Sequence, residues 1–310
     1  MVEMSDMTHS TATAKSPREH MLAEAFLMLW RDKFAFLSAL FLLLVVFAAF
    51  FGPSLLTDQA LQMNLRGRNA PPFELERGWI YFLGADNLGR SLLARLVIGS
   101  RYTLMIAGSA VVLALVAGTI LGLVAGYRQG RIATIILRAA DILMSFPSLL
   151  LALIVLFVLA PSVANVVLVL ALSRVPVYLR TCRAEVLEIR ERQFVKAAKV
   201  LGASHARIVF LHILPNVVPT LLTLATLEFA AVMLSESSLS FLGLGVQAPA
   251  VTWGLMVADG RGYLASAWWL SFWPGVTISL TAISANLMAN WIRTATDPAQ
   301  RWRLEKRKRA

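Results

Sequence analysis

Apolar and polar residues fall in long blocks along most of this chain rather than in short alternations. Nearly uncharged runs occupy residues 34–51, 103–125, 139–160, 166–179, 216–239 and 268–292, with polar or charged segments between them. A helix rises ~1.5 Å per residue and a bilayer core is ~30 Å thick, so runs of this kind read as membrane crossings. The pattern predicts an all-α membrane protein with six transmembrane helices. Residues 1–20 have no apolar period and read as a disordered tail, and 21–33 as an interfacial helix anchored by Trp30 and Arg31. The run at 34–51 exceeds a signal-peptide core and has no small-residue cleavage site before Gly52-Pro53, so it is expected to stay as the first span.

Within the spans, special residues sharpen the picture. Gly108, Gly118, Gly122 and Gly126 in the second span predict close helix–helix approach. A short basic turn is expected at 128–138, and Pro147 should kink the entry to the third span because it removes a backbone donor. Residues 161–165 form an outer turn. Trp268, Trp269 and Trp273 at one end of the last span and Trp291 at the other form an aromatic belt. The chain divides into 1–33 (tail and interfacial helix), 34–102 (first span and outer loop), 103–292 (a five-span core) and 293–310 (a basic tail).

Composition agrees with this and narrows the function. Of 310 residues, 58% are hydrophobic and only 15% charged, and the mean hydropathy is +0.68, too apolar for a soluble surface. The net charge of +11 accompanies no aromatic–basic interleaving and no nucleic-acid-binding motif, so it reflects topology, with no nucleic acid partner. With both termini inside, seven of the 29 Lys and Arg residues lie outside: Arg66, Arg68, Arg77, Arg90, Arg95, Arg101 and Arg261. The remainder lie inside, as the positive-inside rule requires. The single cysteine, Cys182, builds no disulfide framework, and His9, His20, His205 and His212 have neither metal-ligand nor triad spacing.

The longest charged segment between two apolar runs, residues 185–216, carries the strongest functional signal. Phe194, Ala197, Ala198 and Leu201 recur on one helical face, with Arg192, Lys196 and Lys199 opposite. Gly202 stops this helix with a left-handed turn, Ser204 caps a second short helix, and Pro215 is expected to end it. Such a knuckle either lies on lipid headgroups or docks a protein. Two acids, Glu228 and Glu236, sit in the fifth span, where a carboxylate costs roughly 2.5–3.5 kcal/mol unless neutralised, paired or wet. Glu236, flanked by Ser235, Ser237 and Ser238, fits a translocation path or gate, or else a hydrogen bond between helices.

The knuckle's spacing resembles the "EAA loop" of ABC-importer membrane subunits. Ala197-Ala198, three residues, Gly202, nine residues, His212, one residue, Leu214-Pro215 matches that pattern, with Lys196 in place of its Glu and His212 in place of its Ile. The His-Ile-Leu-Pro-Asn ending is similar to the dipeptide/oligopeptide/nickel branch. Residues 83–91 (Leu-Gly-Ala-Asp-Asn-Leu-Gly-Arg-Ser), 239–245 (Leu-Ser-Phe-Leu-Gly-Leu-Gly) and 252–256 (Thr-Trp-Gly-Leu-Met) also resemble segments of that branch. At the C-terminal end Met288, Ala289, Asn290, Thr294 and Ala299 depart from it.

The resemblance implies a type I ABC importer permease fold in a bacterial inner membrane, both termini cytoplasmic. It implies a second homologous permease, two cytoplasmic ABC ATPases and a periplasmic or lipid-anchored substrate-binding protein as partners, besides the lipid bilayer. ATP would be bound by the ATPase, not by this chain, which carries no Walker motif and is not itself expected to be an enzyme. Phe194, Lys196, Ala197, Ala198, Leu201, Gly202, Ala203, His212, Leu214 and Pro215 would couple to the ATPase. Ser235, Glu236 and Ser238 would line the path, and Asp259 and Arg261 would meet the binding protein. The competing expectation is an ion- or proton-coupled carrier using Glu228, Glu236 and Asp141 as a relay.

Overall fold

The computed structural model describes residues 27–74, 76 and 78–296. The expected tail at 1–20, most of the interfacial segment at 21–33 and the basic run at 301–309 lie outside the described residues; residues 27–31 are helical. Among the described residues every regular element is a helix, apart from one isolated bridge between Ala85 and Ser91.

Helix α1 (Lys33–Leu61) is capped by Asp32, whose carboxylate accepts from the Ala35 N–H at 3.3 Å. It runs ten residues past the predicted run, through Pro53. Its outer face leaves Phe34, Leu37, Leu44, Phe47 and Phe50 exposed, a surface that only lipid or another apolar partner can cover.

Helix α2 (Leu92–Tyr127) has 36 residues and begins well before the expected start of the second span, because Ser91 caps it. At ~1.5 Å per residue it is longer than the bilayer core is thick, so it projects into water. Its main partner is α5 (Val163–Ile189), which runs parallel to it. A Cβ on Gly122 would stand 2.5 Å from the Cys182 Cβ, and one on Gly126 2.7 Å from the Val186 Cβ; Gly118 faces Tyr178 in the same way. One glycine stripe therefore lets two backbones touch, which is the main attraction available between helices in lipid. Gly108 departs from the others: no atom of this chain lies within 4 Å of where its Cβ would be, so it serves no close approach within this chain.

The third span is broken. α3 (Arg131–Ser145) and α4 (Ser148–Leu159) meet at 90° across Phe146-Pro147, a far sharper event than the predicted kink. The predicted basic turn at 128–138 shrinks to a bend around Gly130 (φ 98°), because Arg131 and the residues after it join α3. α4 alone, with 12 residues or ~18 Å, does not cross a bilayer. Asn165 closes the outer turn by donating from Nδ2 to the carbonyls of Leu159 and Ala160.

After α5 come α6 (Gln193–Val200), α7 (His205–Arg207), a π-helical turn at Ile208–Ile213 and α8 (Leu214–Phe241). The expectation that Pro215 ends a separate helix is corrected: His205–Phe241 is continuous. In an α-helix the proline ring would clash with the carbonyl four residues back. The wider turn, in which the Leu214 N–H donates to the Val209 carbonyl, removes that conflict.

On the opposite side, α9 (Trp253–Gly260) and α10 (Trp269–Thr296) pack on each other and on α8. Trp269 is not part of an interfacial belt. It is buried and donates from Nε1 to the Ala85 carbonyl at 3.3 Å, clamping the outer loop to α10. Among the described residues four helices are long and apolar enough to cross a membrane, or five when the bent pair is counted as one span, against the six expected. α10 has the length, but its Ser, Thr, Asn and Trp content keeps it below the apolarity of the others.

Candidate functional site: a coupling knuckle and an intramembrane ion pair

The knuckle hangs on two long helices. α5 ends at Ile189, and Arg190 donates from Nη1 to the Gly126 carbonyl at the end of α2, at 3.2 Å. Val195 and Ile208 are buried and fasten α6 to the bundle. The Tyr127 hydroxyl lies 2.7 Å from His205 Nδ1, tying the end of α2 to the start of α7. Gly202 adopts φ 82°. The Gly202 N–H donates to the Lys199 carbonyl and the Ala203 N–H to the Ala198 carbonyl, which is a Schellman closure of α6. Ser204 caps α7 through the Arg207 N–H at 3.3 Å.

This geometry fixes which face is free. Phe194, Ala197, Val200 and Leu201 point outward, while Lys199, Lys196 and His205 line a small polar recess of about 280 Å³ behind the knuckle with Tyr127 and Arg190. Val200, the last residue of α6, and Leu201, its C-cap, are 87% and 86% exposed. Lys196 pairs with Glu191 at 3.2 Å, and hydrogen bonds from Lys196 and Arg190 hold the Glu191 carboxyl below the usual carboxylate range. His212 lies within the π turn and Leu214 and Pro215 on the continuous helix just beyond it, none of them on the outward knuckle face, and the His212 carbonyl accepts from Asn216 Nδ2.

In the spans, Glu236 is fully buried and accepts from Ser240 Oγ at 2.7 Å, with Thr252 behind it. Glu236 thus faces α9 and the interior of this chain, while Ser235 and Ser238 beside it are half-buried. Glu228 forms an ion pair with Arg174 on α5, Oε2 to Nη1, at 3.4 Å, and Arg174 Nη2 donates to Ser235 Oγ at 3.1 Å. Asp141 on α3 accepts from Arg180 at 2.6 Å.

The outer segment at 83–95 holds a second buried charge cluster. Asp86 accepts from the N–H groups of Leu88 and Arg90, from Arg90 Nε at 2.7 Å and from Arg95 Nη1 at 2.5 Å. Arg95 reaches Asp259 on α9 at 3.6 Å. Burial pushes the Asp259 carboxyl above its ordinary range, although Arg95 opposes the shift. Arg261 stacks over Phe241, 5.2 Å from the ring centre. Trp253 donates from Nε1 to the Leu96 carbonyl, and its N–H donates to Thr103 Oγ1. The sequence reading missed this hub. Arg95 opening an apolar helix, with Asp86 in a tight glycine turn just before it, was the available signal.

The sequence profile described as binding-protein-dependent transport system inner membrane component matches residues 118–302. The chain is 41% identical over 260 residues to the di/tripeptide transport system permease protein DppC of Pseudomonas aeruginosa, covering 84% of this chain and 86% of that protein. It is 37% identical to the dipeptide transport system permease protein DppC of Alkalihalophilus pseudofirmus, covering 89% of each. With the oligopeptide transport system permease protein OppC of Bacillus subtilis it shares 31%, over 94% of this chain and 96% of that one. A solved chain from the inward-facing MetNI methionine ABC transporter superposes with a TM-score of 0.54 at 18% identity, covering 66% of this chain and 97% of that one. That structural likeness is one of fold, and the profile and sequence matches show that the chain belongs to the family of binding-protein-dependent transport system inner membrane components.

Proposed function

We propose that this chain is one of two permeases in an ATP-driven peptide importer of a bacterial inner membrane, with both termini in the cytoplasm. Its partners are a second homologous permease, two cytoplasmic ABC ATPases that bind the ATP, and a periplasmic or lipid-anchored substrate-binding protein. The observation that carries this reading is the outward apolar face of the knuckle. Burying a leucine or valine side chain stabilises by about 1.5–3 kcal/mol, so Leu201 and Val200 alone supply a strong anchor for a cleft in another protein. Ser235 and Ser238 are assigned to the path. Glu236 joins them only in a conformation that parts α8 from α9. Asp259 and Arg261, at the end of α9, are assigned to the binding protein.

The names of the relatives supply the cargo class, di-, tri- and oligopeptides. A proton-coupled carrier is disfavoured because Asp141, Glu228 and Glu236 are held by three different partners, Arg180, Arg174 and Ser240, and so form no relay. Leu201→Asp is the decisive variant. The ATPase should no longer copurify and ATP-driven uptake into proteoliposomes should be lost, with membrane insertion intact. Full uptake with the ATPase still attached would refute the docking role, and uptake driven by a proton gradient without ATP would refute the importer.

A further inference from the structure

Arg174 and Glu228 lie well inside Val163–Ile189 and His205–Phe241, two helices long and apolar enough to cross a membrane, which puts the pair within the span rather than at its ends. Both side chains reach the surface of this chain, 21% and 14% exposed. A partly exposed charge at that depth does not face hydrocarbon, where it would cost several kcal/mol, so this edge must face a partner protein or a water-filled path. The pair is also incompletely satisfied. Arg174 Nε is buried without a hydrogen-bond partner and Glu228 Oε2 has only the long contact to Arg174 Nη1; the hydroxyl of Tyr178, one helical turn from Arg174 and within electrostatic reach of both charges, is likewise buried without a hydrogen bond. At 3.4 Å the ion pair is looser than the more exposed pair of Asp141 with Arg180 at 2.6 Å. Ser148, Ser173 and Ser235 line a crevice between α4, α5 and α8 next to it.

A loosely paired cation and anion side by side suit a ligand that carries one charge of each sign a few ångströms apart. We propose that Arg174 and Glu228 form a transient docking point on the translocation path for the ionised termini of a peptide. Arg174, a planar fork, takes the carboxylate, and Glu228 takes the ammonium group. Ser235 holds the guanidinium in place through its Oγ. When no peptide is present the two side chains neutralise each other, which keeps the span free of a net charge that would otherwise trap ions. The proposal rests on the importer reading and adds a cargo contact to it, at residues distinct from the knuckle.

The test uses the complete transporter, with its binding protein, in proteoliposomes. Arg174→Gln combined with Glu228→Gln removes both charges without orphaning either. Binding-protein-stimulated ATP hydrolysis should stay within about twofold of wild type, whereas peptide uptake per ATP should fall at least about tenfold, the scale of losing charge-assisted hydrogen bonds. Unchanged uptake per ATP overturns the proposal. Should that double variant fail to assemble, Arg174→Glu with Glu228→Arg keeps a pair; it should assemble with reduced uptake, and wild-type uptake overturns the proposal. In a Cys182→Ala background, Ser235→Cys should react with a charged, water-soluble thiol reagent, and peptide with ATP should slow the reaction. Absence of labelling places this edge against protein and overturns the path assignment. A wild-type assembly that moves no peptide refutes the cargo class itself, whereas normal wild-type uptake with an idle pair refutes only this site.

Discussion

Gly202 offers the sharpest perturbation, because its environment separates backbone conformation from packing. It sits at φ 82°, and no atom lies within 4 Å of where a Cβ would be. Alanine there meets no clash, so its whole effect comes from the left-handed backbone, about 1–2 kcal/mol for an L-residue. That corresponds to a factor of about 5–30 in the population of the closed turn. Asparagine tolerates the left-handed region and should lose much less. Proline fixes φ near −65° and removes the N–H that donates to the Lys199 carbonyl, so the Schellman closure cannot form. Uptake per ATP in the reconstituted transporter should therefore fall in the order Gly, Asn, Ala, Pro, with the proline variant inactive. Insertion and the thermal stability of the spans should be unchanged throughout the series. Equal coupling by the alanine and proline variants would show that the turn does not transmit the ATPase stroke.

Gly122→Val should lower the melting temperature of the purified complex, since its side chain would meet Cys182 and overpacking costs typically 1–3 kcal/mol; an unchanged melting curve would show that α2 and α5 can separate freely. Asp86→Asn should lower the yield of folded protein by leaving the buried Arg95 with Asp259 alone at 3.6 Å, a loss below the ~3–5 kcal/mol of a fully stranded charge, read by thermal unfolding in detergent. Asp259→Asn should behave oppositely. The folded state raises this carboxyl, so it binds a proton more readily than the unfolded chain does. Wild type should therefore gain stability relative to Asp259→Asn as pH falls through the raised value towards the ordinary carboxylate range, and lose that gain as pH rises. A difference that grows with rising pH would refute the burial argument.

The outer hub illustrates why parts of the site were hard to read from sequence. Counting Arg90, Arg95 and Arg101 as outer charges treated them as solvated, yet Arg95 is buried between Asp86 and Asp259, which lie far apart in the chain. No local pattern announces a partner on α9. Glu228 and Arg174 are likewise 54 positions apart, and only the packing of α5 against α8 brings them together. The glycine stripe was legible as small residues in an apolar helix, but which glycines serve was not: Gly118, Gly122 and Gly126 share a face that meets α5, and Gly108 does not. Pro147 announced a disturbance, and its 90° size depends on what α3 and α4 each pack against.

The apolar blocks, the cap at Ser204, the left-handed turn at Gly202 and most of the outward stripe were determined by the sequence, because each follows from near neighbours and the surrounding solvent; of the expected stripe Phe194, Ala197 and Leu201 are exposed, whereas Ala198 is half-buried and Val200 is outward in its place. Tertiary structure alone decided that Pro215 lies inside a continuous helix, that Trp269 clamps a loop instead of resting at an interface, and which acid meets which arginine. Those outcomes depend on surfaces contributed by distant helices, and a side chain's charge or size does not name the surface it will meet.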